Sequence, residues 1–321
     1  MRVGIMVEGQ EDVTWERWQR VTALAENLGF DSLWRSDHLF SVLGVIERET
    51  LALWPSLTTV ALQTRHITFG QLVSPVSFRH PVELAQHAVA LDHLSGGRYV
   101  LGVGAGWYER EHAAFGFPLL SLRERMDRME EALEVIRLLW SGERVSFEGR
   151  FYRLRDAVLR PRPLRESGVP IVIGGRGEQR TLRMVARYAA EWNVTNVDLD
   201  EHRRKMSVLV DHCRAIGRDP DTIVRSWMVA HIIGPDAAAV RERAERIKRW
   251  FPLWQNASPE QVIAEARGRF WLVGTVDEVI EQLRARAAIG VQRVMLQTFD
   301  LDDTDALELI AREIIPAVAD V

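Results

Sequence analysis

Short apolar runs and amphipathic segments alternate along the whole chain. Strand-like runs occupy residues 3–7, 32–35, 67–73, 99–104, 170–173, 191–195, 223–233 and 291–297, and the apolar run from Tyr99 is typical of a strand buried on both faces. After the first run, apolar residues recur at three- and four-residue spacing from Trp15 to Leu28, which predicts a helix that Gly29 ends. Further helices are predicted over residues 54–63, 81–93, 122–140, 178–188, 200–216, 276–289 and 304–318. Eight strands and eight helices in alternation predict an α/β fold, a (β/α)₈ or TIM barrel.

Two segments do not fit this alternation. Residues 144–159 contain alternating aromatic and polar residues around a glycine, which predicts a hairpin inserted before the fifth strand. Residues 235–271 are longer than one helix requires, and Pro252 and Pro259 break them into pieces. Insertions of this kind usually form a lid or an oligomer surface. We therefore expect one barrel domain over residues 1–321, with insertions near 144–159 and 235–271.

Composition and charge narrow the possible partners. A chain of 321 residues, 47% of them hydrophobic, is long enough for one barrel of this class. The net charge of −4 and the lack of a long basic tract argue against a nucleic-acid partner. The single cysteine, Cys213, excludes an intrachain disulfide. The sequence has neither a leader-like segment nor an apolar run of about 18 residues, so we expect a soluble cytoplasmic protein with no membrane partner.

In a TIM barrel the active site is built at the carboxyl ends of the strands. The residues at these positions are polar or glycine, which suits a flat ligand with a phosphate tail. They are Glu8, Ser36, Asp37, His38, Ser74, Pro75, Gly104, Ala105, Gly106, Trp107, Gly174, Gly175, Arg176, Gly177, Asn193 and Thr195.

Glycine-rich turns follow the fourth and fifth strands. Gly104 and Gly106 let the backbone approach a ligand closely, although glycines after a strand are also common in ordinary turns. The fifth strand continues into GGRGEQRTL at the head of a helix, where free backbone N–H groups and the helix dipole favour an anion. Arg176 and Arg180 add positive charge there, whereas a turn without any ligand is the alternative. The sequence thus predicts a candidate phosphate site after the fifth strand.

His38 is the best candidate for proton transfer, because it directly follows a barrel strand and histidine titrates near neutral pH. A structural histidine bound to a carbonyl group is the alternative. No metal-ligating pattern is present, since Asp211, His212 and Cys213 are consecutive on a helix and point in different directions. A serine nucleophile elbow is also missing. We therefore expect an organic cofactor to supply the chemistry.

Several blocks of the sequence resemble the bacterial luciferase-like superfamily over nearly the whole chain. They are MRVGIMVE, AENLGFDSLWRSDHLF, LSGGRYVLGVGAGW, VIGGRGEQRTLRMVARYAAEWN and VGTVDEVIEQLRARAAIGVQRVML. Within the superfamily, the chain resembles the deazaflavin-dependent oxidoreductases, which use coenzyme F420. The resemblance implies a bacterial luciferase-like TIM barrel that holds a flat ring system across its mouth.

The resemblance also implies roles for particular residues. A non-prolyl cis peptide bond is expected under the ring, at Gln71–Leu72, and Trp107 is expected to wall the pocket beside Gly104, Ala105 and Gly106. The cofactor phosphate is expected at Gly174, Gly175, Arg176, Gly177 and the backbone of Glu178, together with Arg123. Asp37 and His38 match the acid–histidine pair beside the reactive ring edge. Sugar-phosphate dehydrogenases of this class have a glutamate where this chain has Trp107, which argues against a sugar-phosphate substrate.

These expectations lead to one main hypothesis and two alternatives. The main hypothesis is an oxidoreductase that moves a hydride between coenzyme F420 and a small organic substrate, with His38 and Asp37 as catalytic residues. The first alternative is a two-component monooxygenase in which FMN, with nitrogen at ring position five, reacts with O₂. The second is a binding protein of the same fold without turnover. We also expect a homodimer and no bound metal.

Overall fold

The computed structural model describes residues 1–321 and contains eight parallel strands that close into a barrel. All strands, including four outside the closed circle, are β1 (Arg2–Val7), β2 (Ser32–Arg35), β3 (Thr68–Gln71), β4 (Ser74–Pro75), β5 (Tyr99–Gly104), β6 (Val145–Glu148), β7 (Arg153–Ala157), β8 (Ile171–Gly174), β9 (Glu191–Thr195), β10 (Val224–Gly234), β11 (Leu272–Thr275) and β12 (Arg293–Thr298). The barrel runs β1-β2-β3-β5-β8-β9-β10-β12 and closes because β12 pairs with β1. The predicted (β/α)₈ barrel is confirmed.

Helices surround the barrel. They are α1 (Trp15–Asn27), α2 (Leu53–Gln63), α3 (Pro81–Ser95), α4 (Glu109–Phe115), α5 (Leu122–Trp140), α6 (Thr181–Tyr188), α7 (Leu199–Ala215), α8 (Ala237–Ile247), α9 (Pro259–Gly268), α10 (Val276–Ala288), α11 (Thr304–Leu309) and α12 (Ile315–Ala317). Side-chain caps fix several of their starts: Thr14 accepts a hydrogen bond from the Arg17 N–H, and Ser258 forms a capping box with Gln261. None of these helices combines the length and the apolar character that a bilayer crossing requires.

The barrel interior is filled by side chains. Met6, Trp34, Leu72, Val100, Val172 and Met295 form a buried apolar cluster inside it. A much larger apolar cluster, which extends from Met1 to Val318, fills the space around it. Since the interior is packed, a ligand as large as a flavin has to bind at the mouth, where the strands end.

Some boundaries differ from the sequence prediction. The predicted strand 67–73 ends at Gln71, and two residues of β4 follow after a break. The predicted helix 178–188 begins only at Thr181, because glycines at 174, 175 and 177 hold the preceding segment in turns. Helix α4 was not predicted, since its seven residues are too few to show a clear helical period.

The two insertions have defined structures. Residues 144–159 contain the antiparallel pair β6–β7, so the predicted hairpin is confirmed. Glu131 on α5 fixes the hairpin turn by accepting hydrogen bonds from the N–H groups of Arg150 and Phe151. Residues 235–271 hold α8, a short 3₁₀ turn that begins at Pro252, and α9, which begins at Pro259. Both prolines therefore mark breaks, as their sequence positions predict.

Candidate active site

The polar residues singled out in the sequence gather at one rim of the barrel. In a closed parallel barrel all strands end at the same face. β2 ends at Arg35 and leads to Asp37 and His38, and β5 ends at Gly104 and leads to Trp107. β8 ends at Gly174 and leads into the glycine-rich turn. This rim is the candidate active site.

Glu111 on α4 holds the imidazole of His38. Nδ1 of His38 lies 3.1 Å from Oε2 of Glu111, whose other oxygen accepts a hydrogen bond from the Leu39 N–H at 2.5 Å. Nε2 of His38 has no hydrogen-bond partner within the chain. The carboxylate selects the tautomer with the proton on Nδ1 when the ring is neutral. Nε2 is thereby left available to a ligand at the mouth.

The pKa of His38 is raised above its usual value. Burial acts in the opposite direction, but the hydrogen bond and the charge of Glu111 outweigh it, with smaller contributions from the carboxylates of Glu8 and Asp37. A raised pKa increases the fraction of His38 that is protonated at neutral pH. The ring is therefore prepared to donate a proton from Nε2.

Asp37 does not orient His38. Its carboxylate forms a two-point ion pair with Arg79, at 2.8 Å and 3.1 Å, and accepts a hydrogen bond from Ser74 Oγ at 2.6 Å. Successive residues of an extended segment project to opposite sides, so two neighbours such as Asp37 and His38 diverge. The carboxylate of Asp37 thus joins the end of β2 to β4 and to the segment after it, and the partner of the histidine is Glu111.

We expect Glu111→Gln to lower the pKa of His38, because the amide keeps a hydrogen bond and removes the negative charge. Activity that needs protonated His38 is present below its pKa and is lost as the pH rises through it. The alkaline limb of the kcat/KM profile should therefore move to lower pH, and an NMR titration of His38 should move the same way. Glu109→Gln, on the same helix but exposed, is the matched control. An unmoved profile would show that Glu111 does not set the protonation of His38.

The non-prolyl cis peptide bond lies at Leu72–Val73, one residue later than expected. The reason is the length of the strand pairing: the Leu72 N–H still donates to the Arg35 carbonyl at 2.8 Å, so the chain leaves the sheet only after Leu72. The Val73 side chain then lies over Gly104, where an added Cβ would come within 2.5 Å of it. The bulge in the third strand thus carries Val73 to the mouth.

Gln71 and Leu72 lie inside the barrel wall. The side chain of Gln71 is fully buried, accepts a hydrogen bond from the Tyr99 hydroxyl at 2.7 Å and donates one to Ser74 at 3.1 Å. Leu72 packs in the interior apolar cluster. The side chains of Gln71 and Leu72 therefore lie beneath the barrel mouth and support it. Of the three neighbouring residues, Val73 is the one whose side chain lies at the mouth.

The turn after β8 presents unused hydrogen-bond donors. The backbone N–H groups of residues 176–180 donate no hydrogen bond within the chain, and α6 begins directly after them. Gly175 has a φ of +142°, which favours glycine, and an added Cβ at Gly177 would come within 2.8 Å of Thr181 Oγ1. Consecutive free N–H groups at a helix start fit a phosphate group.

Three arginines lie near this turn, and they differ in whether the guanidinium group is already paired within the chain. Arg180 is committed to α5, where it donates to Asp127 and to the Arg123 carbonyl. Arg176 donates to the Asn196 carbonyl at 3.0 Å. The guanidinium of Arg123 is exposed and forms no ion pair or hydrogen bond within the chain. Among these residues, Arg123 is the free cation beside the turn.

Glu178 turns its carboxylate away from the free N–H groups. It pairs with Lys205 at 3.1 Å and with Arg204, both on α7, and the hydrogen bond from Lys205 is the main reason why its pKa is lowered. Its carbonyl accepts a hydrogen bond from His212 at 2.8 Å. The backbone N–H of Glu178 thus remains open, while its negative charge is neutralised by α7.

Comparison with known proteins identifies the family. The sequence profile described as luciferase-like monooxygenase matches residues 1–293. The chain belongs to the luciferase-like monooxygenase family. This confirms the resemblance inferred from the sequence blocks.

Relatives within the luciferase-like family include both kinds of cofactor user. The F420-dependent glucose-6-phosphate dehydrogenase of Microbacterium testaceum is 30% identical over 311 residues, which are 91% of this chain and 90% of that protein. The FMNH₂-dependent dimethylsulfone monooxygenase of Pseudomonas putida is 27% identical over 260 residues, covering 74% of this chain and 70% of its own length. An F420-dependent secondary alcohol dehydrogenase, solved with an F420–acetone adduct, has a similar fold, with a TM-score of 0.82, 21% identity and coverage of 99% and 98%.

Sequence reasoning missed Glu111 and Val73 in this luciferase-like site. Glu111 is fully buried although it lies in the polar stretch EREH of a short helix, so no hydrophobic period marks it. Its partner His38 is 73 residues away along the chain. No three histidine, cysteine, aspartate or glutamate side chains lie together in a way that would hold a metal ion.

Proposed function

We propose that this protein is an oxidoreductase that transfers a hydride between coenzyme F420 and a small organic substrate. The observation that carries the proposal is the His38–Glu111 pair, which places a proton donor at the barrel mouth. The names of F420-dependent relatives support it. When bound, the deazaflavin supplies a hydride from carbon five of its ring.

The residues of the chain fit such a cofactor at two points. The free N–H groups of residues 176–180, together with Arg123, would hold the phosphate tail. Gly104, Ala105, Gly106 and Val73 would line the ring site at the mouth, with Trp107 as a wall. His38 would hold or move a proton at Nε2, and Glu111 would keep the imidazole in place. Asp37 would act through Arg79 and Ser74, which it binds.

The second candidate function is an FMN-dependent monooxygenase of the two-component type. The FMNH₂-dependent relative supports this alternative. Both cofactors would use the same phosphate turn, so the turn does not separate them. Calorimetric titration of the protein with F420 and with FMN distinguishes the two cofactors.

We expect Arg123→Ala to weaken cofactor binding by about 1.5–3 kcal/mol, the usual range for a hydrogen bond to a charged group. The reason is that Arg123 is the unpaired cation beside the phosphate turn. Titration of the deazaflavin fluorescence measures the dissociation constant. Arg183→Ala is the control, because Arg183 lies on α6 beyond the turn and is already paired with Glu130 at 3.5 Å. Equal affinities in the two variants would place the phosphate elsewhere.

The remaining proposals concern the state of the protein. We propose that residues 1–321 form one domain, which the continuous apolar cluster from Met1 to Val318 supports. A homodimer is proposed because α2 and α3 leave Leu62 and Leu94 exposed, and its mass in solution would test this. A cytoplasmic location and the lack of a nucleic-acid partner are proposed on the single free Cys213 and the net charge of −4.

A further inference from the structure

A large cavity lies on the outer side of the barrel wall, away from the residues of the candidate active site. It measures about 690 Å³ and is lined by the start of α7, the end of α9, β11, α10 and the side chain of Trp227 on β10. Met228 packs against the apolar cluster inside the barrel, so the neighbouring side chain of Trp227 points outward. We call this space the outer cavity.

The wall of the outer cavity contains a buried cation without a counter-ion. Arg286 is only 7% exposed, and its guanidinium group forms no ion pair within the chain. Nη1 donates to the Asp198 carbonyl and to Nδ1 of His202, both at 3.0 Å, and Nη2 donates to the Val197 carbonyl at 2.7 Å. The N–H of Nε and one N–H of Nη2 therefore have no acceptor within the chain. A buried charge in this state is unusual, because buried charges are normally paired.

The groups around Arg286 leave its charge unbalanced. Burial and the neighbouring arginine lower the pKa of His202 to about 3, so its ring is neutral and accepts the hydrogen bond at Nδ1. Burial lowers the pKa of Arg286 itself to about 10. The guanidinium group lies over the Trp227 ring at 4.1 Å, and the indole N–H of Trp227 also has no acceptor within the chain. Unused donors thus collect in one wall of the cavity.

Phe270 lines the outer cavity in a backbone conformation that favours glycine. Its φ is +64°, two residues after α9 ends at Gly268, and a bulky residue rarely adopts this conformation. The side chain is 41% exposed, so burial in the core does not offset the strain. Strained residues collect where a ligand or a reaction needs their side chains. The Phe270 ring is thus available to a ligand in the outer cavity.

Acidic side chains limit the charge that the outer cavity accepts. Asp198, Glu278 and Glu281 also line it. Two of them cap helices: Asp198 accepts a hydrogen bond from the Glu201 N–H at 2.7 Å, and Glu278 accepts one from the Thr275 N–H at 2.8 Å. A dianion such as phosphate would be repelled by these carboxylates more strongly than a group with one negative charge. A carboxylate carries one charge and offers two oxygens to an arginine.

From these observations we propose that the outer cavity binds a flat aromatic carboxylate. Its oxygens accept hydrogen bonds from the free N–H groups of Arg286, and its ring lies against Trp227 and Phe270. The site is separate from the barrel mouth, so the proposal does not depend on the cofactor or the reaction proposed there.

Calorimetric titration with 2-naphthoate and with 2-naphthamide tests the need for a negative charge. The two probes share one ring system, and a neutral amide replaces the carboxylate in the second. We expect 2-naphthoate to bind at least about tenfold more tightly. Arg286→Lys keeps the charge but loses the planar N–H groups, and it should weaken 2-naphthoate binding by about tenfold. Equal affinities for the two probes, or no binding of 2-naphthoate, would overturn the proposal.

Phe270→Gly separates binding from folding. Glycine adopts a φ of +64° without strain, so the melting temperature should not fall, whereas 2-naphthoate affinity should fall by about tenfold because an aromatic contact is lost. Asp156→Gly is the matched control, because Asp156 also has a positive φ, of +50°, but lies on β7 outside the cavity wall. Unchanged affinity in Phe270→Gly would contradict the site even if Arg286→Lys does not fold.

Arg123→Ala distinguishes the outer cavity from the barrel mouth, since a flat anion also suits the phosphate turn. This variant should bind 2-naphthoate as tightly as the unchanged protein does. A loss of affinity in Arg123→Ala without one in Phe270→Gly would place the probe at the mouth and overturn the proposal.

Discussion

Replacing His38 by alanine is expected to lower the rate of hydride transfer to the substrate by about 10²–10⁴-fold, the usual contribution of a positioned general acid. The physical reason is that Nε2 of His38 is the donor at the mouth, and Glu111 fixes its direction. Affinity for the cofactor should change little, because the phosphate turn lies on a different strand end. Single-turnover measurements with the reduced deazaflavin separate the chemical step from cofactor binding.

Two controls make the His38 result specific. His66→Ala changes an exposed histidine before β3, away from the mouth, and should leave the rate unchanged. Added imidazole should restore part of the rate in His38→Ala, since the space of the ring is then open to a small donor. A loss of less than about fivefold, under conditions where chemistry limits the rate, would leave His38 with a structural role only.

Gly175→Val is expected to weaken cofactor binding by about 100-fold or more, which corresponds to about 2.7 kcal/mol. Gly175 has a φ of +142°, and its added Cβ would lie 3.2 Å from Thr181 Cγ2. A valine there strains the backbone and moves the turn whose N–H groups face the phosphate. The measurement is a fluorescence titration with the deazaflavin.

The matched control for Gly175→Val is Gly217→Val. Gly217 also has a positive φ, of +67°, but an added Cβ meets no atom within 4 Å and the residue follows α7 away from the turn. Both variants should lose similar stability on heating, and only Gly175→Val should lose cofactor affinity. If the two variants bind the cofactor equally well, the phosphate does not occupy the turn.

The barrel could be predicted from the sequence because short, mostly buried strand-like runs alternate with amphipathic segments along the whole chain. The runs 32–35, 99–104 and 191–195 coincide with β2, β5 and β9. Burial on both faces makes such strands mostly apolar, although Arg35, Glu191 and Asn193 are buried in β2 and β9, so the repeated alternation with helices carries the prediction. The exact residue at which the third barrel strand breaks, after Gln71, could not be predicted from the sequence, because the hydrogen bonds of the strand pairing with Arg35 determine it.

Only part of the candidate site could be predicted from the sequence. His38 and the turn at Gly174–Gly177 were found because they follow recognisable strands. Glu111 was missed because a buried carboxylate depends on its partner, which lies on a distant segment. Asp37 was paired with His38 through the resemblance to the family's acid–histidine pair, whereas in the structure its carboxylate pairs with Arg79.

The central claim is that the barrel mouth serves a deazaflavin, and calorimetric titration of the same protein with F420 and with FMN tests it most directly. We expect F420 to bind at least about tenfold more tightly, a difference of about 1.4 kcal/mol. Arg123→Ala should weaken the binding of F420 in the same experiment, which links the affinity to the phosphate turn. FMN that binds as tightly as F420, or more tightly, would contradict the claim and favour the monooxygenase.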